Sequence, residues 1–183
     1  KLQWLLANTA GVADRDLCAG TVDSWIAWTL TEGGVHVSDH TNFSPGTSGL
    51  RTVDSTDWRT DVLDAFGIPE SILPTIVDSA GVVGVASVFP GAPPIAALVG
   101  DQQASLIGQG CIRPGRAKIT FGTGGMLDVC TDSGQPTEAN RNVNGTFPLP
   151  VWSIDGEIGW GVEGIMKMRE DCQLQHVSLV RAQ

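Results

Sequence analysis

The stretch "IAALVGDQQASLIGQG", residues 95–110, decides the fold of this chain. Residues 95–100 form a continuous apolar run, which is typical of a strand buried on both faces of a sheet. Asp101 ends this run, and the apolar residues after it recur at helical spacing, which predicts a short helix. A buried strand that passes directly into a helix predicts an α/β fold, with an acid at the carboxyl end of the strand.

Asp101 has two interpretations at this position. It can cap the helix, which contributes about 1 kcal/mol to stability, or it can act as the base of a reaction. Ligands of open α/β sheets lie at the carboxyl ends of the strands, and a helix N-terminus favours a negative charge. An ionised carboxylate there could accept the proton of an alcohol. The pattern alone favours the cap, although Gln102 beside it suits the hydroxyls of a polyol.

Helical patterns dominate the chain before this stretch. "KLQWLLAN" predicts a helix near the first residue. "GTVDSWIAWTLTEGG" predicts a second helix that ends at its glycine pair, with Val22, Trp25, Ile26 and residues 28–30 along one helical face. "STDWRTDVLDAFG" predicts a third, capped by Ser55 or Thr56 and ended by a glycine.

Hairpin patterns dominate after it. "AKITFGTGGMLDVC" predicts two strands about a glycine-rich turn, and "VWSIDGEIGWGVEG" predicts another hairpin, while "NVNGTFPLP" reads as a loop. The small residues of "TFGTGG" would let successive N–H groups approach phosphate oxygens, although most such turns are simply turns. The turn is neither a Walker loop nor a dinucleotide fingerprint. The change of pattern places a domain boundary near residue 113, in "RPGR".

Composition narrows the class of protein. The apolar share of 42% and the charged share of 17% are typical of a packed domain. The net charge of −9 argues against general binding of nucleic acid or anionic membranes. Prolines interrupt the apolar segment 82–99, so it does not predict a membrane span. The four cysteines lack metal-binding spacing and favour a reducing compartment, so we expect a cytoplasmic protein without a metal site of its own.

The blocks "GTVDSW", "SDHTN", "GDQQ", "FGTGG" and "GVEG", in this order, resemble the FGGY carbohydrate kinases, and among them the glycerol kinases most. The resemblance covers residues 1–165. It implies the two-domain actin/Hsp70-like ATPase fold (ribonuclease H-like), with a cleft between the domains. The chain would be an internal fragment: residues 1–113 the later part of the N-terminal domain, and residues 114–183 the beginning of the C-terminal domain.

The resemblance also implies a reaction, the ATP-dependent phosphorylation of glycerol or a related polyol with Mg²⁺. Asp101 matches the family's catalytic base, and Asp101 and Gln102 match positions that bind the polyol. Thr123 and Gly124 match positions at the nucleotide phosphates. Such chemistry needs mainly positioning, charge stabilisation and one acid that orients the nucleophile. The family is compatible with a homo-oligomer of the whole enzyme.

The sequence departs from the family pattern at three places. Met126 stands where glycerol kinases carry an aromatic residue, "FSPGTSGL" follows "DHTN", and the tail from Ile165 is divergent. The family's first phosphate motif and most of its polyol pocket lie upstream of residue 1, so we expect this chain to be inactive alone. Two alternatives stay open: an FGGY kinase for another sugar, such as a xylulose-like ketose or another polyol, and a truncated, non-catalytic binding module.

Overall fold

A computed structural model describes residues 1–12, 15–53, 57–122, 125–131, 134, 136 and 145–166. These residues form an α/β structure with a helix-rich first part and an antiparallel sheet in the second part, as the sequence predicts. In chain order the elements are α1 (Leu2–Asn8), α2 (Val22–Leu30), β1 (Val37–Asp39), α3 (Pro45–Ser48), α4 (Thr60–Phe66), a 3-10 helix (Glu70–Ile72), β2 (Thr75–Val77), β3 (Ala80–Val85), β4 (Pro94–Ala97), α5 (Asp101–Gly108), β5 (Ala117–Phe121), β6 (Gly125–Cys130), β7 (Thr146–Ile154) and β8 (Glu157–Met166).

The first part contains a parallel strand pair against which one of its helices packs. Strand β1 lies beside β2, and α2 contacts β1. Gly67 ends α4 in the left-handed conformation that glycine adopts without strain, so the predicted stop is confirmed. The predicted caps Ser55 and Thr56 lie outside the described residues. An apolar cluster between α4 and the 3-10 helix holds this part together; its buried members are Leu63, Ile68, Ile72 and Leu73.

The apolar face that the sequence predicts for helix α2 is largely exposed. Val22 and Trp25 are 74% and 69% exposed, whereas Asp23, Ser24 and Ala27 are buried. The buried Asp23 carboxylate has a partner, because Ser38 Oγ donates to Asp23 Oδ2 over 2.7 Å. Hydrogen bonding of a buried carboxylate offsets its desolvation, so the polar side of this helix contacts β1.

The run at residues 95–100 also differs from the prediction of a strand buried on both faces. Its strand, β4, pairs antiparallel with β3 in a two-stranded sheet, and most of its side chains are exposed. Burial begins just after the strand, at Leu98, whose N–H donates to the carbonyl of Ser79. The apolar run therefore enters the interior only in the three residues before α5.

The second part is a four-stranded antiparallel sheet in the order β5–β6–β8–β7. Both predicted hairpins are confirmed, and β7 and β8 meet at Asp155 and Gly156, which both have positive φ as a two-residue turn requires. Strand β7 begins within the segment predicted to be a loop. It lies at the edge of the sheet, where Pro148 and Pro150 are tolerated because one side of the strand needs no partner.

Helix α5 joins the two parts. Leu106 is its buried apolar residue, and it packs in a cluster with Cys111 and three residues of β7: Phe147, Leu149 and Val151. Helix α5 is thus packed against the second sheet through Leu106, and Asp101 is the first residue of the same helix.

Candidate functional site

Asp101 is the first residue of α5 and its side chain is exposed. The N-cap position belongs to Gly100, so the simple cap interpretation of Asp101 is wrong by one residue. The carboxylate accepts the N–H of Gln102 over 2.9 Å, and a negative charge in the first turn interacts favourably with the helix dipole. The Asp101 carboxylate is therefore accessible, directly after the apolar run of residues 95–100.

The backbone just before Asp101 is bound to the loop after β1. The N–H of Gly100 donates to Thr41 Oγ1 over 2.7 Å. The Thr41 hydroxyl in turn donates to the carboxylate of Asp39, with both carboxylate oxygens at 2.9 Å. Thr41 and Asp39 are both buried. The acid of "SDHTN" is thereby connected to the acid of "GDQQ" through one hydroxyl and one peptide group.

Asp39 is the centre of a wider hydrogen-bond network. Its carboxylate also accepts the backbone and side-chain N–H groups of Asn42, each over 2.9 Å, and the hydroxyl of Ser79 over 2.6 Å. Ser79 and Ser153 of β7 exchange backbone-to-hydroxyl bonds over 2.8 and 3.0 Å. Asp39 was not singled out from the sequence; the available signal was an acid at the end of a short strand, close to the hydrogen-bonding side chains of Thr41 and Asn42.

Gln102 faces the second sheet. Its Oε1 accepts bonds from Lys118 Nζ over 2.7 Å and from Thr120 Oγ1 over 3.1 Å, and its backbone carbonyl accepts a second Lys118 bond over 3.0 Å. The predicted polyol-binding amide is therefore the bridge between α5 and β5. Thr120 stands next to the glycine-rich turn, so Gln102 links that turn to Asp101.

Lys118 is a buried cation with a buried partner. Its side chain is 0% exposed and that of Asp128 is 6% exposed, and Lys118 Nζ lies 3.0 Å from Asp128 Oδ2 across the β5–β6 register. The Asp128 oxygens lack well-aligned hydrogen bonds, so the contact is an ion pair rather than a directed bond. Removal of either charge would leave the other buried and unpaired, which is costly.

The predicted phosphate-binding residues Thr123 and Gly124 lie outside the described residues. The strands that flank them are described, and Phe121 pairs with Gly125 at the closed end of the β5–β6 hairpin. Met126 pairs with Thr120 in the same register and is half-buried.

A buried cationic group lies behind the "SDHTN" loop. Arg51 donates to the carbonyl of Phe43 over 3.2 Å and approaches Nδ1 of His40 to 3.4 Å. Burial, and then the charge of Arg51, hold the pKa of His40 below its usual value, against the opposite influence of Asp39 and Asp78. Burial lowers the pKa of Arg51 to about 10, so it remains a cation at neutral pH and His40 serves as its neutral acceptor.

Within the described ranges, His, Cys, Asp and Glu side chains do not gather in groups of three or more that could hold a metal ion. Among the helices in the described part of the chain, none has the length and apolar character needed to cross a membrane.

Comparison with known proteins places these residues in a family. The sequence model "FGGY family of carbohydrate kinases, N-terminal domain" matches residues 1–108, which is more than half of the chain. The chain belongs to the FGGY family of carbohydrate kinases. Its "GTVDSW", "SDHTN" and "GDQQ" blocks all lie within the matched range.

Curated relatives of this FGGY chain include glycerol kinase 2 of Pseudomonas aeruginosa and the glycerol kinase of Halothermothrix orenii. Each is 40% identical over 171 residues, which is 90% of this chain and 33% of the relative. The chain therefore spans about a third of the length of the curated relatives it matches.

Solved structures of the same family share the fold. Glycerol kinase of Plasmodium falciparum, solved with ADP, superposes with a TM-score of 0.74 at 23% identity, over 90% of this chain and 33% of that one. Xylulose kinase of Rhodospirillum rubrum gives 0.71 at 20% identity, over 91% and 33%. The FGGY chain thus has part of the actin-like ATPase fold, as its sequence predicts.

Proposed function

We propose that this chain is the part of a polyol kinase that carries the catalytic base, and that the whole enzyme phosphorylates glycerol or a related polyol with ATP. The observation that carries the proposal is the exposed carboxylate of Asp101 at the first turn of α5, in a chain of the FGGY family. Relatives about 40% identical that are named glycerol kinases support glycerol as the first substrate to test.

In this proposal Asp101 accepts the proton of the polyol hydroxyl as that oxygen attacks the γ-phosphoryl group of ATP. A carboxylate suits this role because phosphoryl transfer requires an oriented nucleophile more than a strong base. The Oε1 atom of Gln102 already accepts two hydrogen bonds. In this proposal the amide nitrogen therefore makes the contact with the polyol, by donating an N–H to one of its hydroxyl groups.

The nucleotide would lie at the β5–β6 turn, with its phosphates at Thr123 and Gly124. A glycine-rich hairpin allows close approach of backbone N–H groups to phosphate oxygens, which suits this ligand. Mg²⁺ is commonly bound through substrate phosphates, so in this proposal the ion would arrive with the nucleotide at the β5–β6 turn and leave the Asp101 carboxylate free to accept the proton. The ion would neutralise the charge that develops on the phosphates.

We also propose that the domain boundary lies near residue 113, as the sequence pattern predicts. Helix α5 ends at Gly108 and β5 begins at Ala117, so the boundary falls in the connection between the two parts. The match to the family's N-terminal domain, which ends at residue 108, supports this position.

The first test is a coupled ADP-release assay on the 183-residue chain with glycerol, ATP and Mg²⁺. We expect no appreciable turnover, since half of the phosphate clamp and most of the polyol pocket belong to the other two thirds of the family's length. Clear turnover that Asp101→Asn abolishes would refute the inactivity of this chain while supporting the base.

The second test places the chain in a whole enzyme, as a chimera in which it replaces the matching third of the Halothermothrix orenii glycerol kinase. We expect glycerol-dependent ADP release, with kcat reduced at least about 10²-fold by Asp101→Asn. Asp64→Asn, an exposed aspartate on α4, is the matched control and should leave kcat unchanged. Equal rates for the two variants would exclude Asp101 as the base.

A second candidate substrate rests on Met126. An unbranched thioether in place of an aromatic side chain changes the shape of a pocket wall, which favours a ketose or another polyol. A substrate panel on the same chimera, with and without Met126→Phe, decides between them. The second candidate would be supported if the chimera phosphorylates a ketose and the same chimera with Met126→Phe phosphorylates glycerol instead.

A further inference from the structure

The start of helix α5 is fixed by a hydroxyl from a distant part of the chain. The N–H of Gly100, the N-cap residue, donates to Thr41 Oγ1 over 2.7 Å, and the two residues are 59 positions apart. An N-cap residue determines where a helix begins. This bond therefore determines where the first turn of α5 lies and from where Asp101, the next residue, projects.

The direction of the Thr41 hydroxyl is set by Asp39. A hydroxyl has one proton to donate and two lone pairs that accept. The proton of Thr41 goes to the Asp39 carboxylate, whose oxygens lie 2.9 Å away, so the lone pairs are turned toward Gly100. Asp39 is held by three further donors, two from Asn42 and one from Ser79, which leaves the carboxylate little freedom to move.

Asp101 has no such support for its own side chain in the described residues beyond the N–H of Gln102. Its carboxylate is exposed, so its location depends on the backbone on which it stands. We propose that Thr41 is a positioning residue for Asp101, with Asp39 as the group that orients Thr41; this proposal rests on the proposed function of Asp101 as the base. Asp39 and Thr41 are both buried, so in this proposal they act through the backbone of Gly100 and not through a contact of their own with a ligand.

A purely structural role for Thr41 makes a different prediction. If the hydroxyl only stabilised the fold, its loss would lower stability without changing the rate constant of the folded molecules. Ser79 provides the comparison, because its hydroxyl also donates to Asp39, over 2.6 Å, but is not bonded to Gly100. Thr41→Val and Ser79→Ala each remove one donor from the same carboxylate, and Thr41→Val alone removes the acceptor of Gly100.

The first experiment is NMR on the 183-residue chain. In Thr41→Val we expect the Gly100 amide to exchange about tenfold faster, since one hydrogen bond is lost. We also expect the Gln102 amide resonance, which reports the Asp101 carboxylate, to shift. Thr41→Ser, which keeps the hydroxyl, should leave both signals unchanged, and Ser79→Ala should change them less than Thr41→Val does, because Asp39 keeps its donors from Thr41 and Asn42. The same exchange of Gly100 in Thr41→Val and Thr41→Ser would overturn the proposal.

The second experiment measures kcat and KM in the chimera described above. We expect Thr41→Val to lower kcat by about 10- to 100-fold with little change in the KM for the polyol, because a misplaced base affects the chemical step. Thr41→Ser should restore kcat, Ser79→Ala should lower it less than Thr41→Val does, and the exposed Asp64→Asn control should leave it unchanged. Equal kcat values for Thr41→Val and Thr41→Ser would refute the positioning role. If the unsubstituted chimera shows no turnover, the proposed function fails, and the NMR result then decides the Gly100 anchor separately.

Discussion

The two residues that flank Asp101 are anchored in different ways. On the N-terminal side, Gly100 binds Thr41 in an uncharged contact that ends at the buried carboxylate of Asp39. On the C-terminal side, Gln102 binds Lys118, a buried cation paired with Asp128. The first anchor comes from the loop after a strand of the first part, and the second from a strand of the second sheet.

The difference shows how the exposed side chain of Asp101 can still be held at a fixed place, by the residues on either side of it. Hydrogen bonds to a fixed carboxylate orient their donors, but each contributes only modestly to the free energy of unfolding. Loss of one charge of a buried ion pair lowers that free energy strongly, because the other charge stays buried without a partner. We therefore expect the Lys118 anchor to dominate stability and the Thr41 anchor to dominate the placement of Asp101.

The largest effect should follow from breaking the ion pair. Lys118→Met leaves Asp128 buried without its cation, and we expect the free energy of unfolding to fall by about 3–5 kcal/mol. Urea unfolding measures this. The double variant Lys118→Met with Asp128→Leu removes both charges and should recover most of the loss. No recovery would show that Lys118 acts through Gln102 rather than through Asp128.

A smaller loss should follow from Asp39→Asn. The amide keeps the size of the side chain but presents N–H groups to the Ser79, Thr41 and Asn42 donors, so we expect a loss of about 2–3 kcal/mol by urea unfolding. Asp64→Asn on the exposed face of α4 should stay within about 0.5 kcal/mol of the parent. A loss as small for Asp39→Asn would mean that the network around this carboxylate contributes no net stability.

Gln102→Leu tests the bridge alone. It removes the acceptor of Lys118 and Thr120 but leaves the Lys118–Asp128 pair in place, so we expect a loss of about 1–2 kcal/mol in urea unfolding. Gln102→Glu restores an acceptor at the same position and should regain most of that stability. A double-mutant cycle with Thr120→Val isolates the contribution of the 3.1 Å bond.

The smallest effect should be the pH dependence that arises from His40. Its pKa is lowered in the folded chain, chiefly by burial and then by Arg51, so between that pKa and about 6.5 the unfolded chain binds more protons. His40 therefore contributes stability that is complete above about pH 6.5 and is lost as the pH falls. The free energy of unfolding in urea, measured between about pH 5 and pH 8, should depend less steeply on pH in His40→Asn than in the parent chain. Asn keeps an acceptor for Arg51. An unchanged slope would exclude this origin.

The local elements were accessible from the sequence. The stop of α4 at Gly67 and the hairpin of β5 and β6 follow from residue types at neighbouring positions. The prediction that the strand within residues 95–100 is buried on both faces is wrong, and the exposure of the apolar face of α2 was not predicted, because apolar residues indicate burial only when a neighbouring element covers them. The edge position of β7 could not be predicted from the sequence, since it depends on the order of strands in the sheet.

The sequence by itself determined the family, through blocks whose order is specific, and singled out Asp101 and Gln102 as candidates for chemistry. Only the tertiary structure decided that Gly100 caps α5 and binds Thr41, and that Gln102 binds Lys118. The physical reason is distance along the chain. Helix and turn signals act over a few residues, whereas a hydrogen bond between positions 41 and 100 exists only after the elements between them have packed.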